Sequence, residues 1–334
     1  MKKINWGILG TAKISKDHVI PGIKKSKNSN LYSIASRNKS NALNFSKKFK
    51  FLKSYSSYRE LYKDNKVDAI YNPLPNHLHL ETTLEACNNK KHVLLEKPIT
   101  LKSKQVDQLI KVAKKNKVIV KEAFMVRHHP QWKWVKKIIN IGSIGKVRSI
   151  TTLFSYSNID PKNIRNIKKF GGGAIYDIGC YPILISRYLL NKEPSRVIAT
   201  SIFDNKFKTD ILSTAILDFD GTHSSFTCST QSNLSQQIII LGTKKTIVVE
   251  NPFNANAQKT TTIVIYKGSS IYRKDNTIKI FKASDQYCNQ ITNFSDHLLR
   301  NTKIDFGLKD AKKNMKVLDA IFKSLNQNKW ISVE

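Results

Sequence analysis

The chain has 334 residues, with 57 Lys and Arg against 24 Asp and Glu, a formal net charge of +33 and a hydrophobic fraction of 40%. Fifteen Phe, 12 Tyr and 4 Trp spread along that length can fill two cores, which excludes the disordered and fibrous classes. Only nine of the 57 basic residues are Arg and the lysines fall as scattered pairs, so the charge reads as a solvated surface. Specific nucleic-acid recognition, which concentrates Arg, is not expected, and polyanion binding is expected only at low salt.

No apolar run approaches the roughly 18 residues of a membrane helix, and "MKKINWGILG" lacks a signal-peptide core. A cytoplasmic protein without a membrane partner is expected. Cys87, Cys180, Cys228 and Cys288 lie far apart with no C-x-x-C pair, so reduced, packed thiols are expected.

"INWGIL" (4–9) predicts a first strand, followed by a helical stretch to about Lys25. Against G-x-G-x-x-G, the turn between them supplies Gly10, Ala12 and Ser15, keeping only the tight-turn glycine. A strand-to-helix turn at this place can hold a pyrophosphate on backbone N–H groups. Gly10, Thr11, Ala12, Lys13 and Ile14 are therefore candidate cofactor contacts, with a plain turn as the competing reading. The second strand, "LYSIAS" (31–36), ends in Ala35-Ser36-Arg37. An NAD-preferring fold carries an acid there, whereas Ser36 and Arg37 suit a 2′-phosphate, so NADP is the expected cofactor and NAD the alternative.

"KSNALNFSKKF" predicts a helix, and Ser57-x-x-Glu60 is a capping-box start for the next one. The strand "VDAIYN" (67–72) leads into Asn72-Pro73-Leu74-Pro75-Asn76-His77-Leu78-His79. The prolines fix this loop at the carboxyl edge of the sheet, where open α/β folds bind ligands, and Pro73, Leu74, Asn76 and His79 become candidate cofactor contacts. No Glu or Cys accompanies the H-x-H pair at a ligating spacing, so no metal is expected.

"HVLLE" (92–96) predicts a fifth strand, which brings Glu96, Lys97 and Pro98 to the same edge. An ammonium there can hydrogen-bond a substrate hydroxyl and, with its pKa lowered, help move the proton that accompanies hydride transfer; a solvated strand-end lysine is the plain alternative. Pro98 restricts Lys97 to extended geometry. A lysine-rich helix near 102–115 and the strand in "VIVKEAF" follow. Strand alternating with helix predicts a doubly wound parallel sheet over 1–123.

From 124 to 334 the pattern changes. A helix over about 130–141, the strand "VRSITTLFSYS", the turn "FGGGAIYDIG", an apolar helix to about Leu190 and six consecutive strand-like runs predict an α+β domain. Its sheet is expected to be large, open and mostly antiparallel. "KDAKKNMKVLDAIFKSL" predicts a last amphipathic helix, with Met315, Leu318, Ile321, Phe322 and Leu325 near helical spacing.

Together "WGILGTAKIS", "YNPLPNHLH", "LLEKPIT", "EAFMVRHHPQ" and "GGGAIYDIGCYP" resemble, in order and spacing, the glucose-fructose oxidoreductase (Gfo/Idh/MocA) family, and most of all its dihydrodiol and xylose dehydrogenase branch. The resemblance implies an NADP-preferring oxidoreductase that transfers hydride between nicotinamide and a sugar, cyclic polyol or diol. Lys97 matches the lysine of the family's E-K-P motif, placed near the nicotinamide, and Glu96 belongs to the same motif. Asp177 and Tyr181 match its D-x-G-x-H/Y motif, Tyr181 as general acid/base and Asp177 orienting substrate hydroxyls. Arg127 falls on the family's arginine after the sixth strand, where cofactor or substrate is touched, and Arg165 is expected to reach the substrate. Val126 and His128 depart from the family's usual text and leave the substrate open. A homodimer or dimer of dimers through the C-terminal sheet is implied. A non-catalytic NADP-sensing regulator on the same fold is the alternative, and the Lys97, Asp177 and Tyr181 set argues against it.

Overall fold

The computed structural model describes residues 2–268, 274–302 and 304–334. The chain forms two compact units, Met1–Met125 with Asp285–Lys312, and Val126–Ser284 with Lys313–Glu334.

The first unit holds six strands, β1 (Ile4–Leu9), β2 (Ser29–Ala35), β3 (Lys53–Tyr55), β4 (Ala69–Asn72), β5 (His92–Leu95) and β6 (Val120–Glu122). They run parallel in the order β3-β2-β1-β4-β5-β6. Strand order reverses direction between β1 and β4, and a ligand crevice opens at the carboxyl ends beside such a switch point. Helices α1 (Ile20–Lys25), α2 (Lys39–Phe49), α3 (Tyr58–Lys63), α4 (His79–Asn88) and α5 (Ser103–Asn116) make the crossovers. A π-helical turn, Ser15–Val19, leads into α1. Asn38 caps α2 by accepting from Asn41 N, and Ser57 caps α3 by accepting from Glu60 N. Glu60 reaches back to Ser56 N, one residue before the position the capping box assigns it.

The second unit contains α6 (Pro130–Asn140), β7 (Val147–Ser157) and a π turn, Ile175–Gly179, that runs on into α7 (Cys180–Leu190). Next come β8 (Arg196–Phe203), β9 (Asp210–Asp218), β10 (His223–Ser229), β11 (Gln231–Gly242), β12 (Thr246–Val249), β13 (Thr261–Tyr266) and β14 (Asn276–Phe281). With β15 (Ile331–Ser332) they form a nine-stranded sheet in the order β14-β13-β12-β11-β7-β10-β9-β8-β15. Its pairings are antiparallel except β7 with β10. Period-2 alternation sorts its two faces. Ile150, Phe154, Phe226, Cys228, Ile238 and Ile240 are buried on the face toward α7, while Leu153, Ile216, Ile202 and Leu241 stand exposed on the other.

Two helices complete the chain, α8 (Gln286–Arg300) and α9 (Leu308–Gln327). The sequence reading places everything after residue 123 in one domain, and the structure corrects it: Asp285–Lys312 groups with the first unit. The cause is the apolar face of α8. Ile291 and Phe294 join the core of β1 and β2, Phe294 packs 5.4 Å from the Trp6 ring, and Trp6 Nε1 donates to Ser295 Oγ at 3.1 Å. Among the described residues no helix is long and apolar enough to cross a membrane.

Candidate functional site

In the first unit the turn after β1 is built around Gly10, whose φ of +71° is open to glycine at little cost. Its amide donates to Ala35 O at 2.7 Å. A Cβ here would lie 3.1 Å from Leu74 Cδ2 and 3.9 Å from Tyr58 Oη, so the space between turn, loop and phenol stays open only because residue 10 is glycine. Thr11, Ala12 and Ile14 are half-buried and Lys13 is exposed, where the helical run toward α1 presents its first N–H groups. This cradle fits a pyrophosphate.

The end of β2 adds charge. Arg37 is exposed and donates to the Tyr58 hydroxyl; burial raises that phenol's pKa, and Arg37 pulls it back. Ser36 is buried, and its hydroxyl accepts from Asn38 N at 3.2 Å. A guanidinium without a carboxylate at this place fits a phosphate better than a ribose diol.

The loop after β4 is pinned from beneath. The Asn72 amide donates to the Thr82 and Thr83 hydroxyls at 2.9 and 3.1 Å, and Asn72 Oδ1 accepts from Leu74 N at 3.3 Å. Pro73 and Leu74 are buried by this arrangement, and Asn76 opens a short 3₁₀ turn. His79 differs from expectation. It is fully buried, with Nδ1 2.9 Å from Pro98 O and Nε2 2.7 Å from Leu74 O. Each ring nitrogen thus faces a main-chain carbonyl, and the one that carries the proton donates to it, which ties the loop after β4 to the turn after β5 and leaves neither nitrogen open to a cofactor. Burial pulls its pKa down to about 4, against the two carbonyls, which favour the protonated ring.

Glu96 and Lys97 follow β5, and the Lys97–Pro98 peptide is cis. Glu96 N donates to Asn72 O at 3.0 Å; Glu96 Oε1 accepts the Tyr71 hydroxyl at 2.5 Å and Oε2 accepts Lys97 N at 3.2 Å. Beyond the proline, Ile99 N donates to Glu122 Oε1 at 2.8 Å. The backbone on each side of Lys97 is therefore fixed by side chains of neighbouring strands, and the half-buried lysine emerges from a braced turn at the carboxyl edge.

In the second unit, Phe154 and Tyr156 stand two residues apart on β7 and face the same way. The Tyr156 hydroxyl donates to Asp177 Oδ2 at 2.6 Å, and Tyr181 packs edge-on against Phe154 with ring centroids 5.8 Å apart. Asp177 and Tyr181 thus look onto one strip of the sheet. Arg165 Nε donates to the same Asp177 oxygen at 2.9 Å. Tyr181 is nearly buried, also touches Phe253 and lies within the field of Arg165. Burial, followed by the Asp177 charge, holds the Tyr156 phenol well above its ordinary range, so at neutral pH it stays a donor. Arg127 is buried in the turn Met125–His128, where its charge opposes the rise that burial imposes on the Tyr188 phenol.

Tyr156 is the residue that sequence reasoning passed over. Its signal was a polar-tipped aromatic on the inward face of an alternating strand, which needs a buried partner. Among the described residues no group of three or more His, Cys, Asp or Glu could hold a metal, and the cysteines are free thiols.

Residues 4–124 match the profile described as an oxidoreductase family with an NAD-binding Rossmann fold, and residues 132–248 match the GFO/IDH/MocA C-terminal domain. The chain belongs to the GFO/IDH/MocA oxidoreductase family. An uncharacterized oxidoreductase of Rhizobium meliloti is 36% identical over the whole of both chains. A trans-1,2-dihydrobenzene-1,2-diol dehydrogenase of Xenopus tropicalis is 31% identical over 73% of this chain and 74% of its own. The crystal structure of a 3-ketoreductase from Actinomadura kijaniata, in complex with NADP and TDP-benzene, superposes with a TM-score of 0.91 and 26% identity, covering 97% of this chain and 98% of that one.

Proposed function

We propose that the protein is an NADP-preferring dehydrogenase or reductase of a sugar, cyclic polyol or diol, with Lys97, Asp177 and Tyr181 acting on the substrate. The observation that carries the reading is the convergence of Arg165 and Tyr156 on Asp177, with Tyr181 on the same strip of β7. A carboxylate oriented by two donors on one oxygen is suited to orient hydroxyl groups, and a phenol beside it is suited to pass a proton. Relatives support the substrate class: besides the diol dehydrogenase, a D-xylose 1-dehydrogenase (NADP(+)) of Haloferax volcanii is 33% identical over 64% of this chain. Solved variants of the Actinomadura ketoreductase replace a lysine and a tyrosine the same number of residues apart as Lys97 and Tyr181.

NADP, when bound, supplies or accepts the hydride. Thr11, Ala12, Lys13 and Ile14 hold its pyrophosphate on backbone N–H groups in the room that Gly10 leaves, and Ser36 with Arg37 hold the 2′-phosphate. Pro73, Leu74 and Asn76 line the nicotinamide side, and Glu96 and Arg127 complete the cofactor contacts. Lys97 hydrogen-bonds the reacting oxygen, and the Tyr181 phenol exchanges its proton as general acid/base. Asp177 and Arg165 orient the neighbouring hydroxyls.

The exposed face of the nine-stranded sheet, with Leu153, Ile216, Ile202 and Leu241, fits a second copy of the chain, giving a homodimer or dimer of dimers. A cytoplasmic setting suits the free thiols.

The deciding experiment is a turnover screen of NADP against NAD with aldoses, inositols and diols, repeated with Lys97→Ala and Tyr181→Phe. Turnover is expected with NADP and lost by a factor of about 10²–10⁴ in either variant, with NADPH binding retained. Unchanged turnover in both variants would overturn the assignment, and tight NADP binding without turnover on any substrate would favour a sensor.

A further inference from the structure

We propose that Asp210, on β9, is a positioning residue for the reaction, anchoring the glycine turn from which Arg165, Asp177 and Tyr181 are all set. The inference rests on the assignment of Asp177 and Tyr181 to the substrate.

Asp210 is only 2% exposed, an unusual place for a carboxylate. Its Oδ2 accepts from Ile175 N at 2.7 Å and from the Ser213 hydroxyl at 3.2 Å, and Ala174 N contributes a further bond. The carboxylate therefore caps, from 35 residues away in sequence, the start of the helix that bears Asp177 and Tyr181. It also shapes the turn before that helix. Gly173 has φ +113°, and a Cβ on it would fall 2.0 Å from Asp210 Oδ1. Gly172 would set a Cβ 2.4 Å from Arg165 O.

The turn links both halves of the substrate cluster. Gly173 N donates to Arg165 O at 2.9 Å, and Gly173 O accepts from Asp177 N at 3.1 Å. A shift of Gly173 thus moves the backbone of Arg165 and of Asp177 together, and their side-chain pairing with it. This gives the glycine run "GGG" a physical purpose: two of its members make room for an acceptor each, one main-chain and one carboxylate.

Burial pushes the Asp210 carboxyl up to about 6. Among the described residues the titratable groups that feel its charge are Tyr176 on the helix and Cys228 on β10. Both are raised by burial and by the Asp210 charge, and both stay neutral near pH 7. Tyr176 in turn feels Asp319 on α9. As pH falls through about 6, Asp210 takes up a proton and its hold on the Ile175 and Ala174 amides weakens. The stability effect has the opposite sign. A carboxyl whose folded pKa is raised binds its proton more readily folded than unfolded, so its own contribution to stability increases as pH falls from about 6 toward 4. Turnover and stability should therefore diverge over this window, which a merely structural acid would not produce.

The test measures kcat, KM, NADPH affinity and melting temperature between pH 5 and 8 for the wild type, Asp210→Asn and Asp210→Ala. Asp210→Ala is expected to lower kcat by about 10²-fold, with NADPH affinity within about twofold. Asp210→Asn, a neutral stand-in for the protonated acid that keeps one acceptor for Ile175 N, is expected to hold kcat at the level the wild type falls to below pH 6, within about threefold of its value at pH 8, and to lose the acid limb expected of the wild type. A wild-type kcat in Asp210→Ala, or an acid limb that persists in Asp210→Asn, overturns the proposal. Should Asp210→Ala fail to fold, the Ile175 amide resonance of the wild type decides. It is expected to titrate near 6 and to lose that titration in Asp210→Asn, and an amide that does not titrate overturns the anchoring. That resonance reads Asp210 without turnover, so a chain that oxidises no sugar or diol would defeat the functional reading and leave the anchoring measurable.

Discussion

Arg165 Nε and Asp177 Oδ2 stand 2.9 Å apart, and the same carboxylate oxygen takes the Tyr156 hydroxyl at 2.6 Å. Two donors from different elements converge on one oxygen, which fixes the plane of the carboxylate as well as its charge. Neither the loop before the glycine turn nor the end of β7 would place Asp177 alone.

Removing one of these donors should cost what a hydrogen bond to a charged group costs, about 1.5–3 kcal/mol. Arg165→Ala is expected to lower kcat/KM by roughly 10- to 100-fold, and Arg165→Lys to recover only part of it, because an ammonium lacks the planar fork. Tyr156→Phe is expected to fall by about tenfold. Steady-state kinetics with the best substrate checks all three, and wild-type values for Arg165→Ala would remove Asp177 from the orienting role.

At the cofactor end, Arg37→Ala combined with Ser36→Asp exchanges a cation for an acid where the 2′-phosphate is expected. The ratio of kcat/KM for NADP over NAD should fall by at least about 10²-fold, from loss of charge-assisted bonds and from like-charge repulsion. An unchanged ratio would place the phosphate elsewhere.

His79 gives a prediction about stability. His79→Ala leaves Leu74 O and Pro98 O without the ring between them, and burying a carbonyl unpaired costs about 1–3 kcal/mol. For a protein of this size the melting temperature should drop by roughly 5 °C. The pH dependence has a definite sign. The folded pKa, about 4, is depressed below the ordinary 6.5, so the unfolded chain takes the proton first and stability is lost as pH falls between those values. The loss attributable to this ring is on the order of 3 kcal/mol, and His79→Asn should flatten that part of the melting profile.

For assembly, Leu153→Lys together with Ile216→Lys adds charge to the exposed sheet face. Sedimentation velocity should show a dimer in the wild type and a monomer in the variant. With a formal net charge of +33, the wild-type dimer should tighten as salt screens self-repulsion, up to a few tenths molar. A wild-type monomer at all salt concentrations would leave this face without a second copy.

The parallel sheet was legible because strand and helix alternate with short connections, so Gly10, Arg37 and Lys97 could be assigned to one edge from spacing alone. Asp177 and Tyr181 were legible as a motif. What held them was not, since the inward phenol of Tyr156 calls for a buried partner without naming it, and nothing in the local pattern of Asp210 points to a turn 35 residues away. α8 had a local signal, with Asp285 as its cap and Ile291, Phe294 and Leu298 at helical spacing. Its membership of the first unit had none, because only the packing of Phe294 on Trp6 reveals it.

That packing bears on how the protein is made. Trp6 has no exposed surface, and its indole N–H is satisfied by Ser295, near the other end of the chain. During synthesis at about 5–20 residues per second, the nucleotide-binding unit emerges first and then waits tens of seconds for the helix that seals it. Through that interval Trp6, Ile20 and Ile23 present an uncovered apolar surface. The parallel-sheet unit therefore completes its core only after most of the second unit has been made.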